Sequence, residues 1–173
     1  MLEIFALLCV IGGIVILGAL AYIDLKTYLL PNELVLGLAC CGFVFHLSTL
    51  FHYVTLEDMA LGAIIGGGLL YVIRGLANYW YDEDTLGLGD VKLLTAGGLW
   101  LGPEHILIAA AAGALAGFFH GVIIAIYTIF HAKVPVKSFD LSRLSVPAGP
   151  GFAAGLLCTA IYMFCTLPEI LLP

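Results

Sequence analysis

Six apolar stretches, separated by short polar interruptions, make up most of this chain. The first, residues 2–23, is unbroken, and a helix rising 1.5 Å per residue needs about 20 residues to cross a bilayer. It runs into Asp24-Leu25-Lys26-Thr27-Tyr28-Leu29-Leu30-Pro31-Asn32. Pro31 disfavours helix for the residue before it, and Asn32 reads as the N-cap of the next helix. The second stretch covers 34–51, and a short loop with Glu57 and Asp58 follows. The third, 59–77, carries Gly62, Gly66, Gly67 and Gly68. Residues 78–89 are polar, aromatic and acidic, including Asp82, Glu83 and Asp84, and belong at an interface. The fourth stretch, 90–101, is short for a full crossing unless the preceding loop feeds its start. Gly102-Pro103-Glu104 breaks it, the fifth spans 106–130, a polar loop covers 131–147, and the sixth spans 151–167. The pattern predicts an all-α polytopic membrane protein of about six transmembrane helices, one domain over residues 1–173. The N-terminal stretch lacks a basic leader of its own and reads as a retained helix, not a signal peptide.

Composition agrees with a membrane solvent. Hydrophobic residues are 62% of the chain, charged ones 10%, and mean hydropathy is +1.13, whereas soluble domains carry about 25% charged residues. The basic residues then orient the spans. Lys26 follows the first, Arg74 and Lys92 flank the link between third and fourth, and Lys133, Lys137 and Arg143 follow the fifth. By the positive-inside rule these loops are cytoplasmic and both termini are non-cytoplasmic. Asp24 and Asp90, far apart in sequence, are thereby expected at one cytoplasmic level. Losing one helix between them would put them on opposite faces. The net charge of −6 excludes a nucleic-acid grip, which needs basic patches, and suits a basic partner. Cys9, Cys40, Cys41, Cys158 and Cys165 show no Cys-x-x-Cys spacing and read as small hydrophobes. His46, His52, His105, His120 and His131 lack metal-ligand spacing, so no metal and no cofactor are expected.

The candidate chemistry centres on Leu-Gly-Leu-Gly-Asp-Val-Lys-Leu-Leu at 86–94. A carboxylate opening an apolar run is costly at membrane depth and reads as functional. Gly87 and Gly89 let the backbone turn tightly and approach another backbone, as an extended peptide substrate would require. Two carboxylates held close share a proton, so that one acts as base towards water while the other donates to a carbonyl oxygen. Asp24 and Asp90 therefore suit aspartic peptide hydrolysis, without metal or covalent intermediate. Since Asp90 begins a helix and Asp24 ends one, helix dipoles predict the resting charge on Asp90 and the shared proton on Asp24. The bland alternative leaves each acid as an interfacial residue at a helix end. A transporter or assembly component binding an ion with both acids predicts half-helices or an internal repeat, and none is evident. Lys92 points to a different helix face from Asp90 and reads as an interfacial anchor. Asp82, Glu83 and Asp84 form either a solvated loop or a docking surface for a basic peptide. Gly113, Gly117 and Gly121 form a small-residue face for close packing within the protein.

With these motifs in place, the chain resembles the type IV prepilin peptidases of bacterial membranes, within the Gly-x-Gly-Asp aspartic proteases. Asp24 through Asn32 is similar to that family's first catalytic segment, an Asp followed by Pro-Asn. Gly87 through Leu94, continuing to Gly102, is similar to the second. Val146-Pro147-Ala148-Gly149-Pro150-Gly151-Phe152 resembles its Pro-x-Gly-Pro stretch before the last helix. The resemblance implies an aspartic endopeptidase that removes the short basic leader of prepilins or pseudopilins at the cytoplasmic face of the inner membrane. It makes Asp24 and Asp90 catalytic, with Gly87, Gly89, Lys92, Pro31, Asn32, Asp82, Glu83, Asp84, Pro147, Gly149 and Pro150 as candidates for the motif or substrate site. Longer members carry a cytoplasmic insertion with paired Cys-x-x-Cys motifs linked to N-methylation. Its absence here implies the short, peptidase-only form found with tight-adherence (Flp-type) pili, with no methyl donor and no zinc. Presenilin-like proteases share Gly-Leu-Gly-Asp but also carry a Pro-Ala-Leu element, and here Pro147-Ala148 is followed by glycine.

Overall fold

The computed structural model describes residues 2–81, 87–132 and 147–166; Asp82, Glu83 and Asp84 lie outside the described residues, as do Lys133, Lys137 and Arg143. The described residues form five helices: α1 (Leu2–Thr27), α2 (Asn32–Ser48), α3 (Leu56–Tyr81), α4 (Leu88–Ala132) and α5 (Gly149–Thr166). Three contain stretches long and apolar enough to cross a membrane, Leu2–Thr27, Leu56–Trp80 and Leu88–Thr128, while Asn32–Ser48 and Gly149–Phe164 are shorter apolar helices. The fourth and fifth helices expected from the sequence are the two arms of α4, which meet at the non-helical Gly102.

The helix ends follow from local chemistry. α1 stops as Tyr28 turns left-handed (φ 54°), its N–H donating to the Asp24 carbonyl at 2.9 Å. The N-cap position of α2 is Pro31, not Asn32 as expected. Pro31 is extended (φ −61°, ψ 131°) and contributes no side-chain cap, because proline's fixed φ suits the chain just ahead of a helix and its ring carries no N–H to satisfy. α3 starts earlier than the apolar pattern indicated. The Asp58 N–H donates to Thr55 Oγ1 at 3.1 Å, and that hydroxyl donates back to Asp58 Oδ2 at 2.8 Å, a reciprocal N-terminal cap.

Inside α4, Gly102 has φ 70° and ψ −177°, outside any helical region and open to glycine alone. Pro103 follows and can begin a helix without wasting a donor. The break is a reversal. A Cβ on Gly66 of α3 would lie 2.5 Å from the Leu94 carbonyl oxygen and 2.8 Å from Ile106 Cγ1. In a straight helix those two residues would be about 18 Å apart, so the arms of α4 fold back on each other with α3 alongside both. The glycines of α3 make this approach possible. A Cβ on Gly98 would strike the Gly62 carbonyl, and one on Gly62 would stand 2.7 Å from the Gly102 carbonyl carbon. Backbone against backbone leaves no side chain free to yield. Gly98→Ala is accordingly expected to destabilise the protein by about 1–3 kcal/mol, read as an earlier midpoint in a reversible detergent-unfolding titration.

Of the small-residue face expected over Gly113, Gly117 and Gly121, Gly113 packs internally against α5, while a Cβ on Gly117 would meet nothing within 4 Å. Cβ atoms on Gly151 and Gly155 of α5 would meet the backbone of Gly113, and Gly151's would also meet that of Gly117 (2.7 Å to its nitrogen). Gly151 and Gly155 thus pack closely on the backbone around Gly113, which without a hydrophobic driving force between helices in lipid is how close packing is gained.

The core at the other side of the bundle is built on Trp100. Its indole N–H donates to the Leu38 carbonyl at 2.8 Å, and its ring stacks on Phe45 with centroids 5.4 Å apart. The ring fits only because Gly13 of α1 and Gly42 of α2 face it; a Cβ at either would come within 2.9 Å or less of the ring. Fully buried His46 lies 3.0 Å through Nε2 from the Trp100 carbonyl. A carbonyl only accepts, so Nε2 carries the hydrogen. Outward residues such as Phe5, Leu8, Val15, Ile64, Phe118 and Ile123 are exposed and apolar, the arrangement of a helix bundle whose solvent is lipid.

Candidate active site

Four helix ends meet where the two acids lie. Asp24, in the last turn of α1, and Asp90, in the first turn of α4, are 4% and 6% exposed, and each is therefore shielded from water by the chain around it. The start of α4 closes on the link that follows α1, where a Cβ on Gly89 would stand 2.8 Å from Leu30 Cδ1, so the two acids lie at the same end of the bundle, as expected.

The acids are held differently. Asp90 N–H donates to the Gly87 carbonyl at 3.2 Å, closing the turn from which α4 begins. Its Oδ1 is buried and has no hydrogen-bond partner among the described residues, a costly condition for a carboxylate. Asp24 Oδ2 instead accepts the N–H of Gly149 at 3.0 Å. Gly149 is the first residue of α5, so the positive end of that helix dipole also faces Asp24. The donor that favours negative charge is on Asp24, where the helix-end argument from sequence placed the proton. That argument counted the helix each acid belongs to and missed a third helix pointing at one of them.

The glycines of the Gly-Leu-Gly-Asp run also have structural work. A Cβ on Gly87 would sit 3.2 Å from Asp90 Oδ2, and one on Gly89 would sit 2.8 Å from Leu30 Cδ1. Gly89 thus lets the start of α4 close upon the link between α1 and α2, a contact with the protein's own chain. A second tie joins the same two segments: Lys92 Nζ donates to Asn32 Oδ1 at 2.9 Å. Lys92 is exposed on a different face from Asp90, as its spacing implied, and Asn32 receives it instead of capping α2. Pro31 shapes the turn before α2, while Pro147, buried, and Pro150, half-buried, flank Gly149 at the start of α5. Among the described residues there is no group of three or more His, Cys, Asp or Glu side chains placed to hold a metal ion.

Leu30 is a part of this arrangement that sequence reasoning did not name, and Gly149, expected only as a motif or substrate candidate, contributes its backbone amide. Gly149 had a legible signal, a glycine between prolines at the start of an apolar run. Leu30 had none, because its partner is set by packing.

The sequence comparisons decide the family. Residues 11–134 match the type IV leader peptidase family. The chain belongs to this family. Within the type IV leader peptidases it is similar to the prepilin leader peptidase/N-methyltransferase of Pectobacterium carotovorum subsp. carotovorum, 40% identical over 109 residues that cover 59% of this chain and 38% of that protein. The protein of the same description from Aeromonas hydrophila is 34% identical over 121 residues, 70% of this chain and 41% of that one. The one from Klebsiella pneumoniae is 38% identical over 109 residues, 59% and 47% respectively. The chain thus spans less than half the length of these curated relatives. No solved structure matches it. Both Asp24 and Asp90 fall within the stretch matched by the family.

Proposed function

We propose that this chain is a membrane aspartic endopeptidase that cleaves the basic leader from type IV, Flp-type prepilins or pseudopilins. The observation that carries the reading is the pair of buried carboxylates, brought from the last turn of α1 and the first turn of α4 to the same end of the bundle, in a leader peptidase chain. In this reading Asp24, which accepts the Gly149 amide, is the anionic partner, and Asp90 carries the proton. Asp24 takes a proton from water as the water oxygen bonds to the scissile carbonyl carbon, while Asp90 gives its proton to the carbonyl oxygen. In the second half Asp24 returns its proton to the amide nitrogen and the C–N bond breaks. The diol hydroxyl then gives its proton back to Asp90, so both acids end as they began. No metal, zinc or methyl donor enters these steps.

The same reading places the protein in the inner membrane with six crossings, counting the arms of α4 separately, and with both termini on the non-cytoplasmic side. It is supported by the reversal at Gly102 and by Lys26 and Lys92 at the end of the bundle that holds the acids. The acidic balance of the chain, −6 overall, favours a basic leader. The test is co-expression with a Flp-type prepilin in membranes: the wild-type chain is expected to shorten the substrate by its leader alone. An uncut prepilin beside folded, membrane-inserted protein would turn the reading towards an ion-binding role for the two acids.

A further inference from the structure

We infer that Gly149 is a positioning residue for hydrolysis, and that α5 completes the site by presenting its first amide to Asp24. The inference rests on the peptidase reading above and assigns a role in it to a residue that carries no side chain. Three observations converge on it. The Gly149 N–H lies 3.0 Å from Asp24 Oδ2 in a buried setting, and it is the one hydrogen bond that side chain makes to a described residue. The fit admits glycine alone, since a Cβ at 149 would stand 2.6 Å from Oδ2 and 2.9 Å from Cγ. Any larger residue therefore pushes the carboxylate out of place. Finally, α5 is held at a fixed height by its interlock with α4, where Cβ atoms on Gly151 and Gly155 would collide with the backbone of Gly113 and its neighbours. A helix that cannot slide holds its first amide at a fixed point.

The consequence is a carboxylate with one oxygen engaged and the other directed by that engagement. A single donor at Oδ2 removes rotation about the terminal torsion of Asp24, which is otherwise broad. Oδ1 is then the oxygen available to the attacking water, and orientation of this kind is what a general base requires. Gly149 touches neither water nor peptide in this scheme. Its effect passes through Asp24.

Two variants separate the donor from the space it occupies. Gly149→Ala keeps the N–H and adds the clashing carbon; an ester in place of the Ala148–Gly149 peptide adds no carbon but replaces the N–H donor with an oxygen that cannot donate. Both are compared with wild type in steady-state cleavage of a purified prepilin in one detergent. The result expected for each is a kcat lower by at least tenfold with KM within twofold, because substrate still binds but the base is misdirected. Ala154→Ser, at an exposed position of the same helix, is expected to match wild type. Wild-type kcat in the ester variant overturns the inference, whether or not Gly149→Ala folds. A loss expressed in KM overturns it too, by making Gly149 a substrate contact. If wild type itself leaves prepilin uncut, it is the peptidase reading that fails.

Discussion

Asp24→Asn is expected to lower leader cleavage by about a thousandfold or more, at the upper part of the range for removing a general base. The asparagine keeps the shape and can still accept the Gly149 amide that reaches Asp24 Oδ2 at 3.0 Å, so the fold survives while the proton acceptor is gone. Asp90→Asn is expected to leave more activity, with a loss of about a hundredfold. Its amide N–H can still donate to the scissile carbonyl, although it cannot release a full proton. The ranking is the informative part. It follows from the hydrogen bonding, with a donor on Asp24 and none among the described residues on buried Asp90 Oδ1. Single-turnover cleavage at matched amounts of folded protein reads it directly. The reverse order, with Asp90→Asn the weaker enzyme, would return the base to Asp90, as helix-end dipoles alone predict.

The second large effect is on stability. Trp100→Ala is expected to cost about 3–5 kcal/mol, the range for deleting a large buried aromatic. In lipid the loss is mainly of contacts, since the environment outside is already apolar. The contacts are specific: stacking on Phe45 at 5.4 Å, slots at Gly13 and Gly42, and the donor to Leu38. Trp100 also lines an existing apolar cavity with Val10, Leu17, Leu156 and Phe164, so truncation would join its own volume to that space. Trp100→Phe keeps most of the ring and loses the indole N–H, for which about 1 kcal/mol is expected. Reversible unfolding in mixed detergent micelles compares the two. Equal losses would show that the hydrogen bond, and not the ring, ties α2 to α4.

Length and polarity along the chain carried the apolar elements, the break at Gly102 and the meeting of Asp24 with Asp90. Those features depend on periodicity and on residues with few permitted environments, such as glycine beside proline or a carboxylate in an apolar run. What stayed hidden depends on pairing between distant elements. Asn32 has the chemistry of an N-cap, yet its side chain is drawn to Lys92. Gly89 reads as room for a close backbone approach, and its contact with Leu30 has no sequence signal. The donor to Asp24 also comes from a third helix, whose first residue is joined to it across most of the chain.

The reversal at Gly102 leaves the first arm of α4 short. From Leu88 to Leu101 it rises only about 21 Å, against a hydrocarbon thickness of about 30 Å, while α1 and α3 are 26 residues each. A bilayer meets such mismatch by thinning around the shorter element. In that arrangement headgroups and water are expected to dip towards the start of α4, which is the end that carries Asp90. Hydrolysis needs water, and in the proposed peptidase an undersized arm would bring the aqueous surface down to the acids instead of lifting them out of the membrane.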